Sequence, residues 1–164
     1  MTAIRRRSRL PGVSVTVEIA TESDRTLLDR LMQLYLYDFS EFDGRELDDE
    51  GRYEYIWLDA YWTDDDRRAY LIRSDGRPVG FALVRLTDPV EMAEFFVMRP
   101  FRSHGIGRRA AQQILALHVG DWRISEVKGN DAAVGFWRVV IPVAFSEHML
   151  ADGTREQRFR VALP

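Results

Sequence analysis

The chain has 164 residues, 46% of them hydrophobic and 12% aromatic, which predicts one compact domain with a sizeable core rather than a disordered or collagen-like chain. It has no cysteine, which excludes a disulfide scaffold, cysteine-ligated zinc and a thiol nucleophile, and fits a cytoplasmic protein. A formal net charge of −3 argues against a general nucleic-acid binder, and no apolar run approaches the ~18 residues of a membrane helix.

Residues 1–12 carry Arg5-Arg6-Arg7-Ser8-Arg9 and end at Pro11-Gly12. They read as a mobile N-terminal extension without a secretory signal, ahead of a single domain over 13–164. Val13–Ile19 alternates with β-branched residues and predicts a strand. Thr21-Glu22-Ser23-Asp24 predicts a helix start, and Leu27, Leu28, Leu31, Leu34 and Tyr35 keep helical spacing towards Phe39. Residues 40–51 predict an acidic loop, and the aromatic run Tyr53–Trp62 a second, short helix. Ala69–Arg73 and Val79–Leu86 flank Ser74-Asp75-Gly76-Arg77-Pro78, a hairpin pattern, and Val90–Met98 adds the third strand of a meander.

Helical spacing returns from Gly107 to Leu117 and breaks at Gly120-Asp121. Trp122–Val127 predicts a strand, Lys128-Gly129-Asn130-Asp131 a turn and N-cap, and Ala132–Val140 a short helix stopped by Pro142. Val143–Glu147 and Gln157–Ala162 predict two last strands, whose exposure suits a homodimer. The order β-α-α-β-β-β-α-β-α-β-β predicts an α/β (α+β) domain: a mixed, largely antiparallel sheet flanked by helices, with one β-α-β crossover.

That crossover opens on Arg99-Pro100-Phe101-Arg102-Ser103-His104-Gly105-Ile106-Gly107-Arg108-Arg109-Ala110, and the stretch from Gly105 fits G-x-G-x-x-[GA]. A dinucleotide site is one reading, with Glu126 placed 19 residues beyond Gly107 as a ribose ligand. Three features oppose it. Six residues intervene between strand and first glycine, the unit follows an antiparallel hairpin with no room for a second mononucleotide half, and the loop is strongly basic. The same physics serves another phosphate-rich ligand: unpaired N–H groups and the dipole at a helix start bind an anion, and glycines admit it close to the backbone.

Arg102-Ser103-His104-Gly105-Ile106-Gly107 matches [QR]-x-x-G-x-[GA], and here the sequence resembles the GCN5-related N-acetyltransferases. Ala93–Val97 is similar to their central strand, and Asn130–Trp137 to their N-x-x-A-[IL]-x-[FL]-Y segment. The resemblance covers the chain from about residue 13 and implies the acyl-CoA N-acyltransferase fold with acetyl-CoA as cosubstrate. It implies that Phe95, Phe96 and Val97 line the pantetheine arm. Arg102, Ser103, His104, Gly105, Ile106, Gly107 and Arg108 would hold the pyrophosphate, and Asn130, Ala133 and Phe136 the far side of the arm.

The implied reaction is direct attack of an amine on the thioester in a ternary complex, which needs a base. The candidates are Glu91 and Glu94. Glu91 stands where the histone-acetylating branch looks to carry its base, and Glu94 lies nearer the acetyl end. Their spacing of three predicts opposite faces of an extended strand, so that at most one faces the thioester. Trp137 departs from the family's frequent tyrosine acid, and an indole cannot supply a proton.

On the acceptor side, residues 35–62 mix acids with rings: Tyr35, Tyr37, Asp38, Glu41, Tyr53, Tyr55, Trp57, Tyr61 and Trp62. Tyr35, Tyr37, Asp38 and Trp57 are the candidate contacts to a small cationic amine or peptide amine, through charge and cation–π pairing. His104, His118 and His148 lack ligand spacing, so no metal is expected. Two functional readings remain: an N-acetyltransferase, and a catalytically weak acyl-CoA-binding or sensing module of the same fold. A nucleotide-dependent oxidoreductase is the third.

Overall fold

The computed structural model describes residues 13–163; the extension expected over 1–12 lies outside the described residues. The strands are β1 (Val15–Ile19), β2 (Arg67–Ser74), β3 (Arg77–Arg85), β4 (Val90–Val97), β5 (Gly120–Glu126), β6 (Phe145–Met149) and β7 (Arg155–Val161). They form one sheet in the order β1-β2-β3-β4-β5-β7-β6. Every neighbouring pair is antiparallel except β4 and β5. The predicted mixed sheet and its single parallel crossover are both present. Asp75 and Gly76, at φ 48° and 76°, close the β2–β3 hairpin with the twist that two-residue hairpins favour.

Among the described residues, four α-helices flank the sheet: α1 (Arg25–Asp43), α2 (Ala60–Thr63), α3 (Ile106–Leu117) and α4 (Asp131–Val140). The strands of the meander alternate between two cores, as a pleat of period two requires. Phe81, Leu83 and Phe96 pack with Leu28, Leu31, Met32 and Leu36 of α1. Ala82, Val84 and Met92 pack with Ile114 and Leu115 of α3 and Trp137 of α4.

Two elements differ from expectation. α1 runs on to Asp43 and stops at Gly44, whose left-handed φ of 66° and N–H bond to Ser40 make a C-cap. The helix expected over Tyr53–Trp62 shrinks to the single turn of α2. The segment before it is held by Gln33, whose side chain donates to Tyr53 O (2.9 Å) and accepts from Tyr53 N (2.8 Å). Its rings pack on the α1 core, so tertiary docking replaces helical bonding.

β4 has two irregularities that shape the site. It pairs with β5 only over Val90–Met92, so the strands part beyond Met92 and leave that edge of β4 unpaired. Against β3, Glu94 aligns with Leu83 but Met92 with Val84, which leaves Ala93 as the extra residue of a bulge. The bulge resets the alternation. Met92 faces α3 and α4, whereas Ala93 packs on the α1 side and Glu94 bonds to Tyr35 of α1. Glu91 aligns with Arg85, which shares the α1 face with Leu83 two residues away. The expectation that Glu91 and Glu94 lie on opposite faces is therefore corrected: the inserted residue brings both to the α1 face.

Candidate active site

The divergence of β4 and β5 opens a cleft of ≈ 670 Å³. One end is the loop into α3. Ser103 and Gly105 both adopt left-handed φ, 64° and 74°, and turn the chain so that successive N–H groups face outward. Among the described residues, none of the N–H groups of residues 103–108 finds an acceptor in the protein; the first that does is Arg109, to Gly105 O at 3.1 Å. Six unpaired donors at a helix start form an anion site built from backbone. A Cβ on Gly107 would lie 3.3 Å from the Phe136 ring and 3.7 Å from Val97, so α4 and β4 close in at that glycine.

The cleft is lined by Phe95, Phe96 and Val97 of β4, Arg102, Ser103, Gly105, Gly107 and Arg108 of the loop, and Asn130, Ala133 and Phe136 of α4. Of the seven residues expected at the pyrophosphate, Arg102 to Arg108, two lie outside that lining. Ile106 turns inward at 3% exposure and anchors the helix start in the core, and His104 is exposed. Asn130 caps α4, its Oδ1 accepting from Ala133 N at 3.1 Å, which leaves its amide nitrogen for the cleft. Trp137 is buried at 5% exposure, edge-on to Phe95 and Phe136, and its ring forms part of the cleft wall.

Behind the α1 wall of the cleft lies Glu94. Its carboxylate accepts hydrogen bonds from the Tyr35 hydroxyl and, at 3.0 Å, from the Tyr55 hydroxyl. Burial pushes the Glu94 carboxyl above its usual range, and the two phenols only partly offset this. Burial, then the Glu94 charge, raises Tyr35 well above an ordinary tyrosine, and Tyr55 likewise. Both phenols therefore stay protonated and donate. Tyr35 itself lines the cleft, so Glu94 stands directly behind the cleft wall.

Glu91 sits elsewhere. Its Oε2 accepts from Arg85 at 3.2 Å and Arg123 at 3.0 Å, away from the lining residues. Tyr37 and Trp57 are 64% and 54% exposed and also lie off the cleft; Trp57 covers the Arg67 guanidinium instead. Asp38 does line the cleft, but it is engaged by Arg99 and Arg102. Burial alone would raise the Asp38 carboxyl, and the two arginines outweigh it and hold it below its ordinary value.

Sequence reasoning missed Phe42, which lines the cleft from the overrun end of α1, and Gly80. A Cβ on Gly80 would lie 2.0 Å from Phe96 O, so only glycine lets β3 reach β4 there. Nothing in the local pattern marks either residue. Tyr55 stood among nine acid and aromatic candidates, and its bond to Glu94 spans 39 positions.

Comparison with known proteins agrees with this geometry. No curated protein matches the chain. Among solved structures, an acetyltransferase from Thermus thermophilus is 20% identical, with 93% of this chain and 100% of that one covered at a TM-score of 0.72. The spermidine N-acetyltransferase of Vibrio cholerae, solved with CoA and spermine, is 12% identical over 89% of this chain and 95% of that one, TM-score 0.67. The paia N-acetyltransferase of Thermoplasma acidophilum, solved with coenzyme A, is 11% identical over 90% and 99%, TM-score 0.65. These likenesses show the fold. Residues 28–140 match the family model for the acetyltransferase (GNAT) family, which covers well over half of the chain. The chain belongs to the GNAT acetyltransferase family and is an acyltransferase.

Proposed function

We propose that the protein transfers the acetyl group of acetyl-CoA to a primary amine of a small cationic or peptide acceptor, by direct attack in a ternary complex. One observation carries this reading: the cleft runs from six unpaired backbone N–H groups to Tyr35, the wall residue whose hydroxyl bonds the buried Glu94 carboxylate behind it.

The residues present fit acetyl-CoA. The loop from Ser103 to Arg108 would hold the pyrophosphate, with Arg102 and Arg108 adding charge. The unpaired edge of β4 beyond Met92 offers backbone groups to an amide-bearing arm, and Phe95, Phe136 and Asn130 form its walls. Acetyl-CoA supplies an activated acyl group and a thiolate leaving group.

Glu94 accepts the proton of the attacking amine, directly or through water. Its raised affinity for protons makes it a stronger base than an ordinary carboxylate. Tyr35 and Tyr55 orient the carboxylate. Neither phenol is a good acid for a thiolate, whose own pKa is ~8.5, because both are held far above it. Trp137 cannot give a proton at all. The thiolate therefore departs without an acid from this chain. The cationic acceptor is supported by the Glu41 carboxylate in the cleft lining and by the spermine bound to the Vibrio cholerae relative.

Trp137 also motivates a second reading, an acyl-CoA-binding module with little turnover. Calorimetry and thiol release separate the readings. We expect CoA to bind and NADH not to bind, with thiol released from acetyl-CoA in the presence of at least one member of a panel of polyamines, aminoglycosides and peptides. CoA binding with no release across the panel favours the binding module. NADH binding without CoA binding sinks both.

A further inference from the structure

α1 crosses the cleft from one wall to the other. Near its C-terminal end Phe42 rests by the β5–α4 loop, where a Cβ on Gly129 would lie 3.9 Å from the Phe42 ring. One turn earlier, Asp38 reaches the opposite wall. Its Oδ1 accepts from Arg99 Nε at 2.9 Å and its Oδ2 from Arg102 at 2.5 Å. Arg102 is held at two more points: its Nε donates to Val97 O at 2.7 Å, and its guanidinium lies 5.6 Å from the centroid of the Phe96 ring.

A guanidinium carries five N–H donors in one plane. Val97 and Asp38 each take one of those on Arg102 and lie on different nitrogens, so together they fix the plane. The donors left over are then presented at the cleft with little freedom to lose, and ordering is what anion capture otherwise costs. We propose that Asp38 is a positioning residue for the phosphates of the cosubstrate, setting the planes of Arg99 and Arg102 from the acceptor-side helix. The inference rests on the acetyl-CoA reading above. It moves Asp38 from the acceptor to the donor, and it places the phosphate buttress three residues from Tyr35, on the same face of α1.

The sign of the effect distinguishes positioning from charge. Asp38 cancels one of two nearby positive charges. Were it only a counter-charge, its removal would strengthen attraction for phosphate and tighten binding. A positioning role predicts the opposite, because two freed arginines must be ordered again.

The test compares the unmodified chain with Asp38→Asn, using CoA in calorimetry and both acetyl-CoA and phosphate-free S-acetylpantetheine as donors in turnover. We expect CoA affinity to fall about 10-fold, the loss of one charge-assisted contact. The ratio of kcat/KM for acetyl-CoA over S-acetylpantetheine should fall by a similar factor. Arg99→Gln, which leaves the Asp38–Arg102 contact in place, should give a smaller loss of the same kind. Unchanged or tightened CoA affinity in Asp38→Asn overturns the proposal. So does an equal loss with both donors, which would mark a general folding defect. If Asp38→Asn does not fold, an unchanged donor ratio in Arg99→Gln overturns it instead. Failure of the unmodified chain to bind CoA is a separate result, and it removes the donor reading and this one together.

Discussion

The two ends of the cleft are built by opposite strategies. The proposed donor end is mostly backbone: six consecutive N–H groups, two residues at positive φ and a glycine under two neighbouring elements. The proposed acceptor end, at and behind the Tyr35 wall, is side chain: Glu94 from β4, Tyr35 from α1 and Tyr55 from an irregular segment, 59 and 39 positions away from it. A backbone site tolerates many changes of side chain but few changes of glycine. A side-chain site has the reverse sensitivity, and the two can be damaged independently.

Gly107→Glu should give the largest effect, because it strikes the donor end where no rearrangement is cheap. Even a Cβ there meets the Phe136 ring at 3.3 Å. The longer carboxylate would fill the cleft and set a negative charge where phosphate belongs. We expect no CoA binding by calorimetry, with the fold retained by circular dichroism. Retained affinity would show that the anion site is not this loop. Gly107→Ala, with only the Cβ, should bind more weakly than the unmodified chain but measurably.

Glu94→Gln should leave the donor end intact and remove the base, lowering kcat by about 10²–10⁴-fold with CoA affinity unchanged. Loss of CoA binding in the same variant would break the division between the two ends. The phenols sharpen the test. Both bonds favour ionised Glu94, so Tyr55→Phe should raise its affinity for protons further. Activity requires the carboxylate, so the acid limb of the kcat/KM profile should move to higher pH. An unmoved limb would assign the proton to another group. Glu91→Gln should move that limb only slightly, and to lower pH, since Glu91 acts on Glu94 through its charge alone and is tied to Arg85 and Arg123 off the cleft.

The same contrast explains what could be read in advance. Regular elements were legible because their signals are local: period-two alternation in β2 and β3, and Asp75-Gly76 at the hairpin. The donor loop was legible for that reason too, since glycine spacing ahead of a helix is a local pattern. Ala93 was not legible. Nothing in Val90–Val97 marks a bulge, because the extra residue is defined by register with β3. That single residue reverses the facing of Glu91 relative to Glu94. Residues 53–59 misled for a related reason: their aromatic rings resemble a helix face, but Tyr53 and Tyr55 dock on α1 without forming one and Trp57 stays exposed.

A smaller effect compares two buried carboxylates. Glu94 has two phenols, whereas Glu126 on β5, at 4% exposure, has no partner for either oxygen among the described residues. Burial, with a contribution from Glu147, raises Glu126 from 4.5 to about 7. It is buried in the core, where it cannot serve the ribose role that the dinucleotide reading gave it. A folded-state value above the unfolded one gives stability that is full below pH 4.5 and lost as pH rises through about 7. Glu126→Gln should therefore stabilise the fold at pH 8, by up to ~3 kcal/mol, and much less at pH 4.5. Urea unfolding at both values measures the difference. A gain independent of pH would mean that repacking, not ionisation, is responsible.

The smallest effect belongs to Asn130, which serves structure and site at once and so tests whether the ends are separable within one side chain. Its Oδ1 caps α4 through Ala133 N, and the residue lines the cleft, with its amide nitrogen free of that cap. Asn130→Ala should lose the cap, about 1 kcal/mol of stability, together with some CoA affinity. Asn130→Asp keeps an oxygen for the cap and adds a favourable charge at a helix start, but it replaces the amide donor with an acceptor. We therefore expect near-normal unfolding for Asn130→Asp alongside CoA affinity lowered several-fold. Stability and affinity falling together in both variants would mean that Asn130 acts only by holding α4. Affinity lost in both variants, with stability lost in Asn130→Ala alone, would mean that the donor end, though mostly backbone, depends on one side-chain amide at its far wall.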